Sequence, residues 1–238
     1  MQERDLYKMI EEREGYVSRT FPALMRKVYV WMALALVITA FTAYGVAHSP
    51  AMLEVIFGNR ILFWGLIIAE LAIVFCISAA ISRLSLTTAT LLFVLYSVVN
   101  GATLSVIFVL FSETIITQTF LVTAGTFAVM SLIGYTTKTD LTSFGKLLFM
   151  ALIGLIIAMV VNMFIGNSTF DLIISCIGVL IFVGLTAYDT QKIKRLLATS
   201  DTMDESVQKI ALLGALQLYL DFINLFLYLL RFFGRSND

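Results

Sequence analysis

Residues 212–234 read LLGALQLYLDFINLFLYLLRFFG. The stretch is apolar enough for a membrane interior, yet Asp221 stands in its middle. Wound as a helix, Gly214, Gln217, Asp221, Asn224, Tyr228 and Arg231 follow one another by three or four residues. These small or polar side chains then fall on one stripe, and mostly Leu, Phe and Ile cover the rest. A charged group that faces lipid is costly, so the stripe must face protein or water.

The whole chain has the same character. Of its 238 residues 60% are hydrophobic and only 13% charged, with a mean hydropathy of +0.95. A soluble domain carries about 25% charged residues. The composition therefore describes an all-α integral membrane protein. Acidic and basic residues balance at 16 each, which gives no reason to expect nucleic acid as a partner. The two cysteines, Cys76 and Cys176, lie in apolar segments and read as small buried hydrophobes. With His48 as the only histidine they make no recognisable zinc or haem site, and no cofactor is expected. A serine hydrolase is disfavoured too, because His48 falls in an outer loop. Residues 1–27 mix both charge signs and lack the apolar core of a signal peptide. They read as a cytoplasmic, partly amphipathic arm ending at Phe21-Pro22, followed by a single membrane domain over 28–238.

A membrane span needs roughly 20 apolar residues. Six stretches qualify plainly, 28–47, 61–82, 86–111, 118–137, 145–165 and 171–190, and about 210–230 makes a seventh. The connections are short except 191–209, the one loop long enough to engage a partner. With the N-terminus inside, 13 basic residues fall on the cytoplasmic side and only Arg60, Arg231 and Arg235 outside. That asymmetry places the N-terminus in the cytoplasm. A last segment that crosses fully puts the C-terminus outside, whereas a re-entrant one returns Arg231 and Arg235 to the cytoplasm. The length of 210–230 favours crossing. On the third span Ser97, Gly101 and Ser105 make a small-residue face suited to close helix packing, for which the last helix is a candidate partner.

Few ionisable groups remain at depth. Asp221 is one, Glu70 in LIIAELAIVF a second, and Asp189 in GLTAYDTQKI a third. Arg83 closes the second span on the cytoplasmic side. Asp189 lies one turn before Lys192, where touching cytoplasmic water is as good a reading as function. Glu70 reads as a protonated carboxyl bonded to a neighbouring helix. Asp221 reads either as interhelical glue with Gln217 and Asn224, or as part of a water-lined path. At 1.5 Å per residue Asp221 lies about 15 Å inward from Ile210 and Asp189 about 5 Å from the cytoplasmic boundary, a difference of about 10 Å. Contact between them requires tilt, or a seventh helix that begins deep beneath a cytoplasmic funnel.

Four segments carry a family resemblance. Tyr188-Asp189-Thr190-Gln191-Lys192-Ile193 and LYLDFINLFLYLLRFFG at 218–234 resemble the two signature segments of the Bax inhibitor-1 family, in its bacterial form. Lys138-Thr139-Asp140-Leu141-Thr142 and MRKVYVWMALALVITAF are similar as well, and the resemblance runs from about residue 21 to the end. It implies seven transmembrane helices with the last one central, wrapped by the other six, in a bacterial inner membrane. It also implies an aspartate dyad, whose matching positions are Asp189 and Asp221, and an arginine that latches the first of them. Counted from Glu70, the latch position falls on Ile81, with Arg83 two residues later as the candidate.

Two carboxylates within hydrogen-bonding distance cannot both ionise cheaply and share a proton. Such a pair senses pH and offers oxygen ligands to a hard cation, which Ca²⁺ accepts with loose geometry. Gln217 and Asn224 add oxygens. The leading expectation is a pH-sensitive cation leak rather than an enzyme, with protons and Ca²⁺ as its ligands, Asp189 and Asp221 as the ion-contacting groups, and calcium supplied by the resemblance alone. One alternative is a non-conducting regulator that binds a membrane protease or another membrane protein. A remote one is an intramembrane aspartyl protease, for which Tyr188-Asp189 fits. Leu218-Tyr219-Leu220-Asp221 does not supply the Gly-x-Gly-Asp half, and the only prolines are Pro22 and Pro50.

Overall fold

The computed structural model describes residues 3–198 and 204–234, with side chains from Phe21 onward. Arg235, the side chains of Arg4, Lys8, Arg13 and Arg19, and positions 199–203 of the expected long loop lie outside the described residues. What is described is helix, turn and short connection, without a strand. The helices are α1 (Glu3–Ala47), α2 (Pro50–Gly58), α3 (Arg60–Ala80), α4 (Leu86–Leu104), α5 (Ile107–Leu110), α6 (Glu113–Thr136), α7 (Thr142–Ile165), α8 (Ser168–Ala198) and α9 (Glu205–Gly234). Seven segments are long and apolar enough to cross a membrane, with α4 and α5 together making the third. The chain is an all-helical, multi-pass membrane protein.

Local chemistry sets the helix ends. Asn59 Oδ1 accepts from the Ile61 and Leu62 amides at 3.0 and 3.2 Å and starts α3. Ser112 Oγ accepts from Ile115 N at 3.4 Å, which starts α6 five residues before the apolar run expected from 118. Gly166, with φ +66°, closes α7 in the left-handed conformation that glycine adopts without strain. Pro50 occupies the first turn of α2, a short helix between the first two spans. Pro22 lies inside α1, so the arm expected to end there is continuous with the first span.

Two further expectations need correction. Residues 191–209 are not a long loop: α8 continues to Ala198 and α9 begins at Glu205. Glu205 is itself engaged, since its Oε1 accepts from Leu86 N at 2.9 Å and lies 3.1 Å from Lys209 Nζ. Nor are the cysteines buried, for Cys76 and Cys176 are both exposed. On a membrane helix an outward face meets lipid, as apolar as a protein core, so a thiol suits either position.

The described residues of Met1–Thr103 and Ile193–Leu216 form one compact unit, and those of Leu104–Lys192 and Gln217–Asp238 a second. In the first, Thr39 Oγ1 donates to Ser97 O at 3.0 Å, and a Cβ on Gly101 would stand 2.6 Å from Thr39 O. The small-residue face of α4 thus packs on α1. In the second, Leu148 and Leu155 of α7, Ile174, Ile181, Phe182 and Leu185 of α8, and Leu225, Tyr228 and Leu229 of α9 make one buried cluster. Phe120 and Phe127 of α6 meet Phe222 edge to face, each at 5.5 Å. Burial differs sharply between spans, from 6% in α3 and 11% in α7 to 50% in α8 and 67% in α9. An apolar helix with so little exposed surface is held by protein, and its polar stripe has protein neighbours.

Candidate functional site

Register decides whether the two aspartates meet. Within the first unit Gly214 faces Ile193, and within the second Gly178 faces Tyr228. In this antiparallel register α9 position 217 or 218 comes level with Asp189, and Asp221 lies about one turn further along. The long-loop reading set Thr190 against Ile210, about seven residues off, or roughly 10 Å at 1.5 Å per residue. With α8 running on to Ala198, the depth difference falls to about 5 Å, one helical turn that the two side chains can bridge.

Asp189 is 3% exposed and Asp221 5%. Their carboxyls hydrogen-bond to each other, and Gln217 donates to Asp189. A bond between two carboxyls requires a proton on one of them, so the pair makes this bond only while it shares a proton. One oxygen on each, Asp189 Oδ1 and Asp221 Oδ2, has no protein partner. Buried polar atoms are normally satisfied, which marks these two oxygens as positions for water or an ion. Both residues line a cavity of ≈ 900 Å³ shared by α7, α8 and α9.

The opening stripe of α9 is accounted for residue by residue. Gln217, Asp221, Asn224 and Tyr228 line this cavity. The Asn224 amide donates to its own helix at Leu220 O, 2.8 Å away. Tyr228 donates to Met159 Sδ at 3.1 Å and stacks on Phe182 at 5.7 Å. Arg231 lies 5.7 Å from the centroid of the Tyr228 ring.

Three consecutive residues of α8 fix Asp189 in place. Asp189 faces α9. Thr190 Oγ1 lies 3.1 Å from Ser131 Oγ of α6. The Gln191 side chain accepts from Leu141 N at 2.9 Å and donates to Thr139 O at 2.8 Å, clamping the α6–α7 connection. Successive residues point about 100° apart on a helix, so one short run can hold three neighbours. Two of the segments that carried the resemblance, 188–193 and 138–142, are therefore joined by Gln191. The close packing has the same focus. Gly145 admits the Tyr188 ring, and Gly134 admits the Ala187 carbonyl.

The cation beside Asp189 is Lys192, one turn along α8 and on the same cavity. Arg83 is exposed in the turn after α3. Glu70 is half-buried on α3 and does not line the cavity. The Thr103 hydroxyl bonds its Oε1, and Asn100 Nδ2 donates to Oε2 at 3.4 Å. Glu70→Gln keeps this pattern, because the amide oxygen accepts from Asn100 and the amide nitrogen donates to Thr103, whose proton can turn to Asn100 O at 3.0 Å. The expected result is an unchanged thermal midpoint, whereas Glu70→Leu costs about 1–2 kcal/mol. Equal losses in the two variants would show that the charge, not the hydrogen bonds, is what α4 requires.

Among the described residues no group of three His, Cys, Asp or Glu side chains gathers to hold a metal. Ca²⁺ in a resident site takes six to eight oxygens. A dyad with two nearby amides suits brief contact with a passing ion better than retention.

The chain is similar to known proteins along most of its length. The family model described as Inhibitor of apoptosis-promoting Bax1 matches residues 22–238. Inner membrane protein YbhL of Escherichia coli (strain K12) is 53% identical over 211 residues, covering 88% of this chain and 90% of that protein. A Borreliella burgdorferi protein is 45% identical over 229 residues, 96% of this chain and 97% of its own length. One from Deinococcus radiodurans is 42% identical over 220 residues, 92% of each.

Proposed function

The chain belongs to the Bax inhibitor-1 family, and from that premise we propose that it is a pH-sensitive cation leak, with Ca²⁺ as the ion and the Asp189–Asp221 pair as its proton-controlled element. The observation that carries this reading is the buried, hydrogen-bonded carboxyl pair, with one oxygen of each member unpartnered at a cavity. Proton and cation compete for the same oxygens. While the proton bridges the pair, its charge is halved and two oxygens are occupied. Once the proton leaves, both carboxylates carry charge, repel each other and attract a hard cation. Cation occupancy therefore rises as pH rises through the titration of the pair.

Competition gives a specific test. In liposomes loaded with a Ca²⁺ indicator, the pH midpoint of flux should move towards acid as Ca²⁺ is raised, by about one pH unit per tenfold when one ion displaces one proton. A midpoint that ignores Ca²⁺ removes the pair from the ion path and favours a regulator that binds other membrane proteins.

Orientation is part of the same proposal. The basic residues set the N-terminus in the cytoplasm, and an E. coli relative is named as an inner membrane protein. Seven crossings then put the C-terminus outside. Tags at the two ends should be accessible from opposite faces, and accessibility from one face would make α9 re-entrant.

A further inference from the structure

The cavity beside the dyad is much larger than an ion needs, and its walls are of the wrong kind for one. At ≈ 900 Å³ it falls in the range of pockets that hold organic ligands. From α7 it takes Lys146, Phe149, Ile156 and Met159, which share one face of that helix. Lys146 to Met159 spans about 20 Å at 1.5 Å per residue. The hydrocarbon of one leaflet is about 15 Å deep, half of a bilayer core. Phe149 is 60% and Ile156 47% exposed, so the apolar wall is open along its length. The basic groups of the cavity lie together at one end. Lys146 follows Gly145, which packs on Tyr188, and Lys192 is one turn beyond Tyr188 on α8. Both lysines are exposed. Opposing their two positive charges, the dyad contributes one negative charge while it holds its shared proton. With that proton in place the polar end is net positive, and the rest is a hydrocarbon-lined slot one leaflet long.

We infer that this cleft binds a phospholipid with an anionic headgroup, its phosphodiester on Lys146 and Lys192 and one acyl chain laid along Phe149, Ile156 and Met159. Basic pockets between transmembrane helices hold anionic headgroups by this chemistry. The inference extends the proposed leak. A chain in the slot covers Asn224 and Tyr228, keeps water from the dyad, and makes anionic lipid a brake on cation passage. Which leaflet supplies the lipid rests on the orientation given above; the binding does not.

Binding can be read without any ion flux, so this inference and the leak can fail separately. The full chain, in nanodiscs of equal parts phosphatidylglycerol and phosphatidylcholine, is released into detergent and its retained lipid measured by native mass spectrometry. Two lysines at the interface should favour retained phosphatidylglycerol by about thirty-fold. Lys146→Gln with Lys192→Gln should erase that preference, and Lys146→Arg with Lys192→Arg should restore it. Ile156→Trp should fill the slot and reduce retention of both lipids, with thermal melts confirming that each variant is folded. Glycerol phosphate at millimolar concentration should not displace the lipid. Equal retention of the two lipids by the unmodified chain would overturn the inference. So would a preference that survives the double glutamine variant, or displacement by glycerol phosphate, which would make the cleft a phosphate site without a role for the chain.

Discussion

Asp189→Asn and Asp221→Asn will each flatten the pH dependence of Ca²⁺ flux, and the double variant will be little worse than either alone. On the proposed reading the bonded pair titrates as one unit, and removing either member removes the shared proton. Asn retains the shape and a hydrogen-bonding group, so Gln217 and the remaining carboxyl keep a partner. Two independent acids would instead give additive losses. The measurement is flux against pH in proteoliposomes for the unmodified chain and all three variants, with folding checked by melting. An unchanged profile in both single variants would remove the dyad from gating. A proteolytic product lost in both would revive the protease reading.

Gly134→Leu will be as damaging without touching a titratable group. A Cβ at Gly134 runs into the Ala187 carbonyl, and its other near neighbours are also backbone atoms of Ala187. Backbone cannot rotate away as a side chain can, so α6 and α8 must separate. Gly134→Ala should cost about 1–3 kcal/mol by overpacking, and Gly134→Leu more. The same separation strains the Ser131–Thr190 contact, one residue from Asp189. Folded Gly134→Ala protein should therefore show a displaced pH midpoint as well as a lower melting temperature. Gly125, on the same helix, has nothing within 4 Å of a built Cβ, so Gly125→Ala should be neutral or slightly stabilising. Equal effects at the two glycines would mean that helix propensity, not the α6–α8 approach, is being read.

Much of this was legible before any coordinates. Hydrophobic runs longer than 20 residues have one stable answer in a membrane, so the seven spans followed from counting. The α9 stripe was legible because a helix repeats every 3.6 residues and a charge in lipid is expensive. Register was not. It depends on where α8 ends, and Lys192, Lys194 and Arg195 look like loop by polarity although they extend the helix. Polarity marks where a helix leaves hydrocarbon, not where it stops. The partner of the α4 small-residue face was equally hidden, because Ser97 and Gly101 announce a close approach without saying which helix makes it. Gln191 lay in a segment singled out by resemblance, yet its two bonds to the α6–α7 connection depend on tertiary placement. Exposure of the cysteines could not be read from hydropathy, since lipid-facing and core-facing positions have the same composition.

A leak of this kind requires that the protein alone pass a cation under control of its carboxyl pair. The direct measurement is Ca²⁺ entry into liposomes that contain only the purified chain, against protein-free liposomes, as pH is stepped on the side exposed to Lys146 and Lys192. The account predicts entry above the protein-free rate that changes with pH over a single titration and loses that dependence in Asp221→Asn. Entry no faster than protein-free liposomes at every pH, from protein shown to be folded, would contradict it.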